Sequence, residues 1–170
     1  MLTGALAGPA FALTLNVTDD TYTDTQSPRQ PLGAAPIIQV GNLKGRNQTG
    51  FVRFDLTPLP RGATISQAFL RFYISNAPAD AAAATGTVII LEVNGAWTEG
   101  KLTTANIPPT VATPAFPVAI APGNKNSYVL VDVTQAVKDW QSGARTNFGL
   151  AFVPLPNRPS RFHSTARRTI

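Results

Sequence analysis

Three carboxylates, Asp19, Asp20 and Asp24, fall within six residues, beside a stretch rich in Thr, Ser and Pro. Calcium takes six to eight oxygen ligands, carboxylate and backbone carbonyl alike, so this density of acids is a candidate calcium site. The spacing does not follow the twelve-residue EF-hand loop, and acids that shape turns give the same local pattern. Asp55 and Asp132 sit inside apolar runs, as Phe54-Asp55-Leu56 and Val131-Asp132-Val133. A carboxylate there either faces solvent or is buried with a partner, because an unpaired buried charge is costly. Arg53 and Arg71 are candidate partners, since a guanidinium binds a carboxylate through two bonds. Glycoside hydrolysis needs two acids about 5–9 Å apart in a cleft, and no pair is singled out here.

Two tryptophans offer apolar ring faces. Trp140 shares a helical face with Val137, which points to the core, whereas Trp97, between Gly95 and Gly100, is expected to be exposed. There is no Cys and one His, His163, which excludes disulfides, thiolate metal sites, cysteine nucleophiles and a multi-histidine zinc site within one chain. No phosphate-binding glycine loop, G-x-S-x-G elbow or H-E-x-x-H motif is present. No catalytic residue and no organic cofactor is expected.

The formal net charge is +5. Bases and acids cancel up to Asp139, and Arg145, Arg158, Arg161, Arg167 and Arg168 carry the whole excess. A neutral body with a basic end is not the footprint of a nucleic-acid reader. Guanidinium groups do suit a carboxylated sugar, so Trp97, Arg158, Arg161, Arg167 and Arg168 form a candidate surface for acidic polysaccharide. A solvated tail accounts for the same charges.

These residues need a scaffold, and 170 residues supply one domain with a core of its own. Only 14% of residues are charged, and 28 are Gly or Pro, which implies many turns between short strands. Residues 1–12 are apolar and end in Ala10-Phe11-Ala12, an A-x-A pattern that suggests cleavage after Ala12 and export to the cell surface or medium. No base precedes Arg29, so the segment reads as a signal-peptide remnant. The other reading is a strand over 10–17, or a donor strand for a neighbouring subunit. No run reaches the ~20 apolar residues of a membrane span.

Alternation or apolar runs predict strands over 36–41, 51–56, 68–74, 87–93, 118–120, 128–133, 148–153 and 161–164. In 68–74, Leu70, Phe72 and Ile74 oppose Phe69, Arg71 and Tyr73. One short helix is expected, with Thr134 as N-cap and Gly143 as its stop. Residues 76–85 and the four-proline stretch 103–117 read as loops. The sum is all-β: a two-sheet antiparallel β-sandwich, jelly-roll-like, with one short helix.

The order of motifs resembles the DNRLRE domain family of secreted bacterial and archaeal proteins. It runs from Asp20-Thr21-Tyr22 and Gly41-Asn42 through Phe51-Val52-Arg53-Phe54-Asp55-Leu56 and Leu59-Pro60-Arg61-Gly62-Ala63-Thr64-Ile65. Ala68-Phe69-Leu70-Arg71-Phe72-Tyr73, Trp97-Thr98-Glu99, Val131-Asp132-Val133-Thr134, Trp140 and Asn147-Phe148-Gly149-Leu150 complete it. Two features depart from the family: no Trp follows Trp97-Thr98-Glu99, and the pattern of a closing strand after His163-Ser164 is missing. The resemblance implies a β-sandwich over 13–164 with a basic tail at 165–170 and no enzymatic activity. It is related to carbohydrate-binding modules, some of which bind alginate-type polysaccharide. A sheet lacking its last strand has an open edge that pairs with other chains. The leading expectation is therefore a structural or adhesive extracellular protein, a fibre subunit self-associating by strand addition. Binding of acidic polysaccharide is the alternative, and an enzyme ranks last.

Overall fold

In the computed structural model, residues 12–43, 45–76, 86–155 and 160–165 are described. The described residues form nine strands: β1 Val17–Asp24, β2 Ile38–Leu43, β3 Arg46–Phe54, β4 Phe69–Asn76, β5 Gly86–Val93, β6 Thr110–Ile120, β7 Ser127–Asp132, β8 Leu150–Pro154 and β9 Ser160–Thr165; β2 to β9 each overlap an expected run, while β1 is not among them. Among the described residues one α-helix, α1 Thr134–Ser142, follows β7. Every strand pairing is antiparallel, as short connections between alternating segments favour.

Two sheets result. The first runs β6-β5-β8-β3-β1 and the second β2-β9-β4-β7. Strand β3 belongs to both. Its first residues pair with β2 (Gly41↔Gln48, Leu43↔Arg46) and its later ones with β8 (Gly50↔Phe152, Val52↔Leu150). The inward residues of both sheets form one core: Val52, Phe54, Val88, Ile90, Leu150 and Phe152 meet Ile38, Val40, Leu70, Phe72 and Ile74. Phe72 and Phe152 meet across the layers edge to face, 5.3 Å between centroids. A cavity of about 20 Å3 between the sheets is lined by Val17, Val40, Phe72 and other apolar side chains. That cavity is too small for a sugar.

Two glycines are required by geometry. Gly143 ends α1 at φ 76°, a left-handed conformation that side-chain-bearing residues avoid. Gly149, at φ 86°, lies so close to β3 that a Cβ would stand 2.0 Å from the Val52 carbonyl oxygen.

The structure corrects four expectations. The acids at 19–24 lie within β1, not in a turn. The 103–117 stretch is a loop only up to Pro109, because Pro114 and Pro117 lie in β6, at the margin of the first sheet. A margin strand tolerates proline since one of its edges needs no N–H donor. The helix N-cap is Val133: the Asp132 carboxylate accepts the Thr134 N–H at 2.9 Å, while the Thr134 hydroxyl accepts the Ala68 N–H. Finally, β9 pairs with β2 on one side and β4 on the other, so the open edge expected from a missing closing strand does not lie at β9. Residues 77–85, within the expected loop, and 166–170 lie outside the described residues.

Candidate functional site

Strand alternation gives each sheet an inner and an outer face, and the two outer faces differ. On the first sheet, Phe51, Val93 and Ala151 point outward and would be wetted, but residues 94–109 fold over them. Trp97 and Leu102 from that segment complete a second small core. Trp97 is 5% exposed. Its indole N–H donates to the Phe148 carbonyl at 2.7 Å, its ring lies 5.8 Å from Phe51, and the Arg53 guanidinium stands 5.5 Å from the ring centre. Arg53 in turn binds Asp19 at 2.5 Å and donates to the Trp97 carbonyl at 3.4 Å. The expected exposure of Trp97 is thus overturned. Flanking glycines suggested a free loop, yet Gly95 lets the chain press against Pro108 and Pro109, where a Cβ would meet ring carbons at 3.2–3.3 Å. Trp140 is buried, as its helical face implied.

Of the acids expected to share calcium, the Asp19 and Asp24 carboxylates are engaged by different arginines. Asp19 faces Arg53, and the Asp20 N–H donates to Glu99. Asp24, 2% exposed, is gripped by the Arg46 guanidinium and accepts from the Gln48 amide and the Gln26 N–H. Burial pushes the Asp24 carboxyl up, but the bonds from Arg46, Gln26 and Gln48 outweigh it and hold the group below the usual carboxylate range. Among the described residues no three His, Cys, Asp or Glu side chains gather as metal ligands would. The physical reason is the extended backbone, which sends Asp19 and Asp20 to opposite faces.

Asp55 and Asp132 do not pair with Arg53 or Arg71. Asp55 accepts the Thr57 N–H at 2.9 Å, and its carboxyl sits below the usual range for that reason. Asp132 is held down first by the Thr134 side chain and then by its N–H. A buried acid that the sequence did not single out is Glu92, 1% exposed beneath α1 and 3.3 Å from Arg145. Burial raises its carboxyl above the ordinary value, with Arg145 opposing.

On the second sheet the outer face of β4 and β7 carries no such cover among the described residues. Phe69 and Arg71 are exposed and Tyr73 is half-buried on β4; Tyr128 is 54% and Leu130 62% exposed on β7. Register sets Tyr73 opposite Tyr128, with ring centres 5.1 Å apart, and Arg71 opposite Leu130. The Arg71 guanidinium lies 3.8 Å from the Tyr128 ring centre. Among the described residues Arg71 joins none of the ion pairs, so its donors face solvent. Tyr73 and Tyr128 meet edge to face, at 63° between their planes. An exposed tyrosine ring can pack on the C–H face of a pyranose, and the guanidinium beside it can bind hydroxyl or carboxylate oxygens. The alternation of 69, 71 and 73 against 70, 72 and 74 was legible in the sequence. Which of the outer faces stays bare was not.

Of the basic residues expected to meet polysaccharide, Arg161 lies in β9, opposite Gly41 of β2. Arg158, Arg167 and Arg168 lie outside the described residues.

The family model for carbohydrate-binding module family 96 matches residues 12–168, nearly the whole chain. It supports the link to carbohydrate-binding modules that the motif order implied. No curated protein matches the chain.

Proposed function

The chain belongs to carbohydrate-binding module family 96, and on that premise we propose that it is a non-catalytic module that binds a polysaccharide chain across the outer face of β4 and β7. The observation that carries this reading is the Tyr128 ring, more than half exposed, with the unpaired Arg71 guanidinium laid on it. Tyr73 and Phe69 extend this face along β4. An exposed guanidinium without a carboxylate, in a chain of net charge +5, favours an acidic polysaccharide such as alginate or pectin over a neutral one. A polysaccharide partner goes with export to the cell surface or medium. Among the described residues no helix is long and apolar enough to cross a membrane.

Affinity electrophoresis and calorimetry with alginate, pectin and a neutral glucan test the reading. Binding to the acidic polymers, weakened by salt and by Arg71→Ala, is the expected result. Equal retention by the neutral glucan, insensitive to salt, would leave carbohydrate binding in place and remove the acidic preference. No binding to any polymer would remove the function.

The fibre-subunit reading stands second. One observation favours it: β7 is a margin strand with a free edge beside exposed Leu130. The family match favours carbohydrate binding.

A further inference from the structure

The sandwich has three margin strands among the described residues, and they are not alike. β6 carries Pro114 and Pro117, and β1 carries Asp19, Asp20 and Asp24; prolines and charges are the usual guards against edge pairing. β7, Ser127-Tyr128-Val129-Leu130-Val131-Asp132, holds no proline and no charge before its last residue. Its hydrogen-bond phase is fixed by the Val133 N–H, which donates to Ala68 at 2.9 Å. Antiparallel alternation then turns Val131 and Val129 toward β4 and leaves the N–H and C=O of Tyr128, Leu130 and Asp132 pointing away from it. An open groove lies between Pro117 and Ala119 of β6 and Leu130 and Asp132 of β7, and β6 forms no backbone ladder with that edge.

We infer that two copies of this chain pair β7 to β7 antiparallel about Leu130, joining their second sheets into one. The strand's own chemistry selects this occupant. Centred on Leu130, the pairing sets Leu130 against its symmetry mate and covers a side chain that is 62% exposed. It makes about six backbone hydrogen bonds from the outward groups of residues 128, 130 and 132. It also sets Tyr128 opposite the partner's Asp132, which brings that carboxylate toward Arg71, the guanidinium stacked on Tyr128. The charges are complementary on both sides of the two-fold axis. A strand paired with itself uses up its edge, so the assembly closes at two copies and does not grow into a fibre. The inference rests on the free edge of β7 and not on the polysaccharide reading, but the dimer brings a carboxylate to Arg71 and so competes with an acidic polysaccharide for it.

Sedimentation of the full chain across micromolar to millimolar concentration tests it. The expected result is a concentration-dependent species of twice 18.0 kDa. Leu130→Pro removes the outward N–H, which a margin strand tolerates, and Leu130→Lys sets like charges against each other. Each is expected to weaken the dimer at least about tenfold with an unchanged circular dichroism spectrum, while Leu130→Thr, which keeps the backbone donor, is expected to weaken it less. Should the proline variant misfold, the lysine variant decides. A monomer at every concentration overturns the inference, as does a dimer indifferent to both changes or growth into filaments.

Discussion

The two outer faces of the sandwich hold the same pair of groups, an arginine beside an aromatic ring, put to opposite ends. On the first sheet Arg53 stands 5.5 Å from Trp97, its charge is met by Asp19, and residues 94–109 bury the ring. On the second, Arg71 lies 3.8 Å from Tyr128, no ion pair neutralises it among the described residues, and the ring is open to water. An aromatic–arginine pair is thus neither structural nor ligand-binding by composition. The cover and the counter-charge decide.

The largest effect belongs to the covered face. Trp97→Ala would remove the centre of the second core and leave the Phe148 carbonyl without its indole donor. A loss of about 3–5 kcal/mol in urea unfolding is expected, with polysaccharide affinity per folded molecule unchanged. Stability lowered by less than 1 kcal/mol would mean the cover is ornamental and erase the difference between the faces.

Tyr128→Ala should show the reverse. Its ring is half in water already, so stability is expected to shift by no more than about 0.5 kcal/mol, while binding weakens about tenfold, equivalent to ~1.4 kcal/mol. A variant that binds as the parent does would remove the β4–β7 face from consideration.

Replacing each arginine by lysine separates the pairs more finely. At Arg53 the planar fork spans Asp19 and the Trp97 carbonyl, so Arg53→Lys is expected to cost about 1 kcal/mol of stability and nothing in binding. Arg71→Lys keeps the charge but not the stacked plane. It should leave stability alone and weaken binding a few-fold, about half the effect of Arg71→Ala. Identical behaviour of lysine and alanine at position 71 would show that charge plays no part.

The smallest effect is in pH. Asp24 is held below its ordinary value of 3.8, so its contribution is present above that value and disappears as pH falls through the lower folded one. Glu92 is held above its ordinary value of 4.5. Its protonated form favours the fold below 4.5, and that advantage is lost as pH rises through the raised value. Melting temperatures between pH 3 and 8 should therefore decline gently on the neutral side in the parent and flatten in Glu92→Gln. Parallel profiles would show that Glu92 does not titrate in this range.

Much of the scaffold was legible because it is local. The period-2 pattern of 68–74 and 128–133 places their strands and gives each its inner set. Gly143 stops α1 because a left-handed residue must stand there. The prolines of 103–117 misled, since proline removes one donor but does not forbid a strand whose other side is unpaired. The acids of β1 misled for a related reason: a short acidic run looks like a turn unless its partners, Arg53 and Arg46, are known to lie on the neighbouring strand. The site was less legible still. Trp97 drew attention as the ligand-facing ring and proved buried, whereas Tyr128 was noted only as a strand residue.

The sequence by itself determined an all-antiparallel sandwich, the residues that share each face, the helix stop, and the exclusion of thiolate and multi-histidine chemistry within the chain. These depend on side-chain type and on spacing of two to four residues. Only the tertiary structure decided which outer face would be covered, which arginine would be neutralised and which margin strand would stay unguarded. Those outcomes depend on contacts between segments far apart in the chain, Arg53 with Trp97 and Arg71 with Tyr128, and no local period encodes them.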